Sequence, residues 1–226
     1  MKNLVWLRDV IIIVVFMVVL RWSIVNWYVI PTGSMLPTIK IKDHVLVNKL
    51  AYGLMLPFTE SHAITWNEPA RGDIVLFRSP IEEVTFVKRV IGLGNDTITF
   101  RDGTLVVNGE PVKEELLTDR SVLDDMGEPG DGKNFYREDL GNGVKHSMLR
   151  LAKGGQTFFE SREWKVPAGK LLVLGDNRDG SNDGRYWGYV DVNKVYGKAL
   201  CVFYSIKPTD GLLPVFRTDR FFARLD

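Results

Sequence analysis

Cysteine is almost absent from this chain of 226 residues: Cys201 stands alone, so no intrachain disulfide can form. Histidine is scarce too. His44, His62 and His146 are the only three, and none sits in a setting that suggests a catalytic triad, while any metal site would need ligands of other kinds. Excess charge is missing as well: 29 basic against 28 acidic residues leave a net charge of +1, which argues against nucleic acid as a partner. No repeat, no low-complexity tract and no long amphipathic helical pattern follow Ile30. What remains is 45% apolar and 25% charged, enough to bury a substantial core in one or two domains.

Long apolar runs are also missing, with one exception. From Val10 to Leu20 every residue is Val, Ile, Phe, Met or Leu; Leu4 to Leu7 extends the run across Arg8 and Asp9, and a second apolar portion follows Arg21. Trp22, Trp27 and Tyr28 suit an interfacial belt. A bilayer span needs ~20 residues. The pattern predicts a transmembrane helix from about Leu4 to Val25, with residues 1–29 forming the cytoplasmic end and the anchor. Lys2 and Arg8 at the short leading end would stay in the cytoplasm, although Arg21 pulls the other way. The alternative is a cleaved signal peptide of the chain itself, but no clear small-x-small site follows the run.

Directly after this segment comes Ile30-Pro31-Thr32-Gly33-Ser34-Met35-Leu36-Pro37-Thr38. Pro31 and Pro37 fix φ on either side of Ser34, and Gly33 admits a close backbone approach, so Ser34 is a candidate nucleophile. A nucleophile needs a base. Lys88 lies in a run of strand composition, Val84 to Gly92, where alternation sets Phe86, Lys88 and Val90 on one face and Val87, Arg89 and Ile91 on the other. One of the two cations must then point toward the apolar packing. A lysine stripped of water has a depressed pKa and offers a neutral amine, the state a general base requires. The bland readings are a turn serine and a lysine that reaches solvent on a buried stem.

A third block follows the apolar strand Lys170 to Leu174: the loop Gly175 to Gly188, dense in carboxylates, amides and arginines, able to build a network of Arg/carboxylate pairs. Its portion Asp179 to Gly184 matches the start of a calcium loop. The twelfth position is Val190, however, with no bidentate Glu. A β-rich anchored interaction protein without catalysis is the other alternative.

Taken together, the Ser34 block, Arg71-Gly72-Asp73-Ile74-Val75, Lys88-Arg89-Val90-Ile91-Gly92, and Gly175-Asp176-Asn177-Arg178-Asp179 with Ser181 and Arg185 to Gly188 resemble type I signal peptidases, bacterial membrane-anchored serine/lysine proteases. The resemblance implies that Ser34 attacks the scissile carbonyl and Lys88 takes its proton. It implies that Thr32 helps the Ser34 N–H hold the oxyanion, that Ser181 orients the lysine amine, and that Asp183 and Arg185 form a supporting ion pair, with Asp176 and Arg178 in the same scaffold. Ile30, Met35, Ile39, Phe86 and Val87 fall where shallow pockets accept small side chains, giving Ala-x-Ala-like cleavage sites. No metal and no cofactor is implied. The implied partners are the signal peptides of translocated precursors and membrane lipid, and the implied location is the plasma membrane, single-pass, with the catalytic domain on the extracytoplasmic side. Two departures stand beside the matches: Gly94-Asn95-Asp96 where Pro-Gly-Asp is common, and Gly184 where serine is frequent.

The fold expectation is mainly β. Asp43 to Leu50, Asp73 to Phe77, Thr85 to Ile91, Thr97 to Phe100, Leu105 to Val107, Leu171 to Leu174 and Val195 to Tyr204 read as strands, the last with Cys201 buried in it. Asp102-Gly103 and Asn108-Gly109 read as hairpin turns. By the resemblance, residues 30–95 and 170–226 form an all-β catalytic domain and 96–169 an inserted β-rich subdomain, of which Asp124 to Gly143 reads as exposed loop. Leu50 to Trp66, with Tyr52, Leu54, Met55, Leu56 and Phe58, is either a core hairpin or an apolar extension touching the bilayer. Val215 to Leu225, basic and aromatic, lies on the same surface or is a loose tail.

Overall fold

A computed structural model describes the backbone of residues 2–56, 59, 62–119, 125–126, 132–151, 159–208 and 213–225, and the side chains of these except 2–4 and 18–23. Helix α1 (Lys2–Ser23) comes first, followed by β1 (Val25–Val29), β2 (Asp43–Asn48), the hairpin β3 (Gly53–Met55) and β4 (His62–Thr65), then β5 (Ile74–Arg78) and β6 (Thr85–Gly92). The interval after β6 holds β7 (Thr97–Arg101), β8 (Thr104–Val107), β9 (Glu110–Pro111), β10 (Lys113–Leu116), β11 (Lys133–Asp139), β12 (Lys145–Leu151) and β13 (Glu163–Lys165). β14 (Lys170–Leu174), the short helix α2 (Gly184–Trp187), β15 (Val190–Asp191), β16 (Val195–Ser205) and β17 (Ala223–Arg224) close the chain. The mainly β expectation therefore holds.

The helix stops earlier than its hydropathy suggests. Val25 to Val29 were expected inside the anchor, yet they form β1, pairing antiparallel with β2 from Val25↔Asn48 to Val29↔His44. β-Branched and aromatic residues favour a pleated surface when a partner edge is present, and Tyr28 packs on the core through it. The described side chains of α1 run from Val5 to Met17 and are mostly exposed, Phe16 at 60%. Those thirteen residues reach about 20 Å at 1.5 Å per residue. Among the described residues no helix is long and apolar enough to cross a membrane.

The main sheet has the order β1-β2-β16-β5-β6-β14-β15, with β17 added on β16. This order sets the Lys88 strand between β5 and β14. Val75 opposes Lys88 on one side, and Leu174, the residue before the polar loop, opposes Arg89 on the other. One apolar cluster (Ile30, Met35, Ile39, Val45, Val47, Ile74, Leu76) underlies the serine segment; a second (Tyr52, Val75, Phe77, Val90, Val173, Val195) lies behind β6.

The inserted interval is built of two smaller sheets, β13-β7-β8-β9 and β10-β11-β12. Both expected hairpin turns form, with Asp102 and Gly103 at φ 51° and 76° and Asn108 and Gly109 at 53° and 88°. The stretch read as exposed loop contains β11 instead, and its glycines Gly141 and Gly143 serve the turn into β12; Asp124 itself lies outside the described residues. Leu50 to Trp66 does form a hairpin: Tyr52 and Met55 are buried while Leu54, Leu56, Ile64 and Trp66 are exposed, and Phe58 lies outside the described residues. The C-terminus is not loose. Buried Arg217 donates to the carbonyls of Ile41 and Ile206 and to Ser205 Oγ, Arg220 pairs with Asp43 at 2.5 Å, and β17 pairs with Cys201 and Val202. Cys201 is only half-buried there.

Candidate active site

Ser34 ends up beside Lys88 because three chain segments converge. The serine segment folds into tight turns, with Leu36 N–H donating to the Gly33 carbonyl and Ile39 N–H to the Met35 carbonyl. The loop after β14 clasps it: Asn177 N–H donates to the Ser34 carbonyl at 3.1 Å, and Asn177 Nδ2 to the Gly33 carbonyl at 3.0 Å. β6 supplies the lysine. Lys88 Nζ lies 2.7 Å from Ser34 Oγ and 3.2 Å from the Val87 carbonyl, with the Phe86 ring centroid 5.2 Å away.

Burial decides the chemistry of that amine. Lys88 is 4% exposed, and loss of hydration lowers its pKa to about 8, against the opposing pull of Asp183 and Asp176. In its ammonium form it donates to the serine hydroxyl; as a free amine it accepts the hydroxyl proton. The sequence alternation required one inward cation, and Arg89 is buried as well, 2% exposed, because both faces of this strand are covered. Arg89 has its own carboxylate: Nε and Nη2 donate to Asp176 at 2.8 and 2.7 Å.

Asp176 is the centre of a larger network. Thr38 Oγ1 donates to it at 2.6 Å, and His146 Nε2 lies 3.7 Å from its Oδ1 and 3.3 Å from Glu138 Oε2. Burial would raise the Asp176 and Glu138 carboxyls, but Arg89 and Arg178 respectively outweigh it and hold both below their usual range. His146 is driven the other way, down to about 4, first by burial and then by Arg89. Arg178 stands in the same network without touching Asp176: its guanidinium pairs with Glu138 of β11 at 2.7 and 2.5 Å, because the 178–180 turn aims it at the inserted sheet, and its Nη2 lies 3.4 Å from His146 Nε2. Asp183 and Arg185 do pair, through two bonds of 2.8 Å, and Asp183 also accepts from Gly175 N–H at 2.9 Å.

A cleft of about 560 Å³ opens over the Ser34–Lys88 pair, lined by Ile30, Thr32, Met35, Phe86 and Val87 as anticipated, and by Glu82, Val84, Thr85, Gly180 and Asn182 as well. Ile39 does not line it. The Met35–Ile39 turn carries Ile39 into the apolar cluster beneath, where it is fully buried. Ser181 is buried against Gly175, and its hydroxyl makes no hydrogen bond, so the expected contact with the lysine amine is not formed here. One further feature belongs to the cleft. β14 pairs only with Arg89, Val90 and Gly92 of β6, so the edge along Thr85 to Lys88 opposite β5 has no strand partner among the described residues.

A family model described as signal peptidase, peptidase S26, matches residues 3–204. The chain belongs to the signal peptidase family. Signal peptidase I of Pseudomonas aeruginosa is 38% identical over 201 residues, a match covering 83% of this chain and 67% of that protein. Signal peptidase I of Aquifex aeolicus is 32% identical over 235 residues, covering 91% of this chain and 85% of that protein. A crystal structure of signal peptidase I from Enterococcus faecalis shares 30% identity, covers 59% of this chain and 98% of that one, and superposes with a TM-score of 0.36. This signal peptidase is thus a protease of the S26 type, and the cleft is the place in it where a buried lysine meets a serine.

Proposed function

We propose that this enzyme removes signal peptides from translocated precursors through a Ser34/Lys88 dyad and an acyl-enzyme, cutting after small residues. The observation that carries the reading is the 2.7 Å approach of Lys88 Nζ to Ser34 Oγ inside a cleft that lowers the lysine pKa to about 8. The amine takes the hydroxyl proton as Ser34 Oγ bonds to the scissile carbonyl carbon, then delivers it to the departing amino group. Water, activated by the same amine, releases the signal peptide. The Ser34 N–H and the Thr32 hydroxyl hold the oxyanion. Ser181, whose hydroxyl is buried without a partner, accepts from the protonated amine in the tetrahedral states.

The unpaired edge of β6 supports an extended substrate that adds as a strand along Thr85 to Lys88. Its side chains before the cut meet Ile30, Met35, Phe86 and Val87, which leave room for small groups only. The anchor is α1, crossing the plasma membrane once with Lys2 and Arg8 on the cytoplasmic side and the β domain outside. The exposed Leu54, Leu56, Ile64 and Trp66 of the β3–β4 hairpin rest on lipid, bringing the cleft to the bilayer surface where signal peptides end. Cleavage of a precursor in detergent or liposomes by wild type, Ser34→Ala and Lys88→Met tests the dyad. Both variants are expected to lose turnover; retained turnover in either overturns it.

A further inference from the structure

The residues that select small side chains leave one member of the cleft unexplained. Among the described residues lining it, Glu82 is the one ionisable side chain besides Lys88 of the dyad, and the one carboxylate facing the substrate groove. Its placement is fixed by the β5–β6 connection. Ser79 Oγ accepts from the N–H groups of Ile81 and Glu82 at 3.2 and 3.1 Å, and Ser79 N–H donates to the Val84 carbonyl at 2.9 Å. Its neighbour Glu83 faces Arg78 at 3.5 Å.

We propose that Glu82 is a specificity-determining residue that favours a cationic side chain in the signal peptide five or six positions before the cut. The inference rests on the dyad reading and extends it. Phe86 and Val87 precede Lys88 along β6, so the part of the substrate before the scissile bond lies on their side of the dyad. Continued along the same unpaired edge, that segment passes Thr85 and Val84 and reaches Glu82, six residues before Lys88. Two extended strands advance by the same ~3.3 Å per residue, and the bend over residues 80–84 shortens the path slightly, so the substrate residue opposite Glu82 is the fifth or sixth before the cut. An exposed pair of this kind changes rates by up to about five-fold and is weakened by salt.

The test uses the full chain in detergent micelles and precursors carrying Lys, Gln or Glu at each position from the fourth to the seventh before the cut. The quantity read is the ratio of kcat/KM for the Lys and Glu precursors within each enzyme. Wild type is expected to favour Lys by roughly five-fold or more at the fifth or sixth position. Glu82→Gln is expected to bring the ratio near one, Glu82→Lys to invert it, and high salt to shrink it. A wild-type ratio near one at all four positions overturns the proposal, as does a preference that survives Glu82→Lys unchanged. Either failure leaves cleavage itself intact and dependent on Ser34, whereas turnover by Ser34→Ala would instead remove the dyad reading.

Discussion

Arg89 grips Asp176 through two hydrogen bonds of 2.8 and 2.7 Å, and the residue before it, Lys88, reaches Ser34. Asp176 is next to Asn177, which holds the carbonyls of Gly33 and Ser34. One buried ion pair thus sets the relative position of the strand that carries Lys88, the proposed base, and the turn that carries Ser34, the proposed nucleophile. Removing one partner leaves the other charge buried and alone. Asp176→Asn and Arg89→Met are each expected to destabilise the fold by about 3–5 kcal/mol, read by denaturant unfolding. A double replacement by apolar residues of similar volume should recover much of the stability and none of the activity.

Lys88, the proposed base, costs the fold stability. Its pKa falls from 10.5 unfolded to about 8 folded, so between these values the unfolded chain binds more protons and stability rises with pH. The cost is complete below about pH 8 and on the order of 3 kcal/mol. Lys88→Met is therefore expected to be inactive yet more stable at pH 7, with the difference fading as pH approaches 10.5. Thermal unfolding across that range checks it.

The same shift shapes the rate. With free enzyme, log kcat/KM should climb with a slope near one below about pH 8 and level off above it, as the amine loses its proton. A profile flat from pH 6 to 9 contradicts a lysine base of this pKa.

His146 sits neutral between two carboxylates, with a pKa near 4. The unfolded chain takes up that proton near pH 6.5, so stability is lost as pH falls from there toward 4. His146→Gln should flatten this part of the stability curve, although it lowers stability at pH 7 through lost packing.

A substitution of one carbon tests the packing around the nucleophile. A Cβ on Gly175 would fall on Ser181 Oγ and on the Ser34 carbonyl oxygen, both closer than side-chain carbons come to their neighbours. Gly175→Ala is expected to cut kcat by about 10²-fold or more, the scale of misplacement near reacting atoms. Single-turnover kinetics separates this from weaker binding.

The serine, the lysine and most strands of the main sheet could be read from the chain, because Pro and Gly punctuate the Ser34 turn and runs rich in apolar residues mark β5, β6, β14 and β16. The inserted three-stranded sheet could not. β10 and β11 read Lys-Glu-Glu-Leu and Lys-Asn-Phe-Tyr-Arg-Glu-Asp, and in β11 and β12 the inward positions include Glu138 and His146, so the apolar alternation that marks a strand is broken where the network is buried. The partners of Arg89 and Arg178 were equally hidden. They lie 87 and 40 residues away, and no local pattern says which carboxylate a buried arginine will meet. β1 was assigned to the anchor rather than to the sheet because hydropathy measures appetite for an apolar environment and is blind to the edge that β2 offers.

A one-residue connection joins the first helix to the sheet. Ile24 alone stands between the end of α1 and the first strand, and Ser34 follows Ser23 by eleven positions. On the proposed seating of α1 in lipid, the joint has no slack, and the proposed nucleophile Ser34 would work like a blade mounted at a set height above a table. On that reading precursors would thread their ends to that height, and lengthening the joint with glycines would blur where the blade falls.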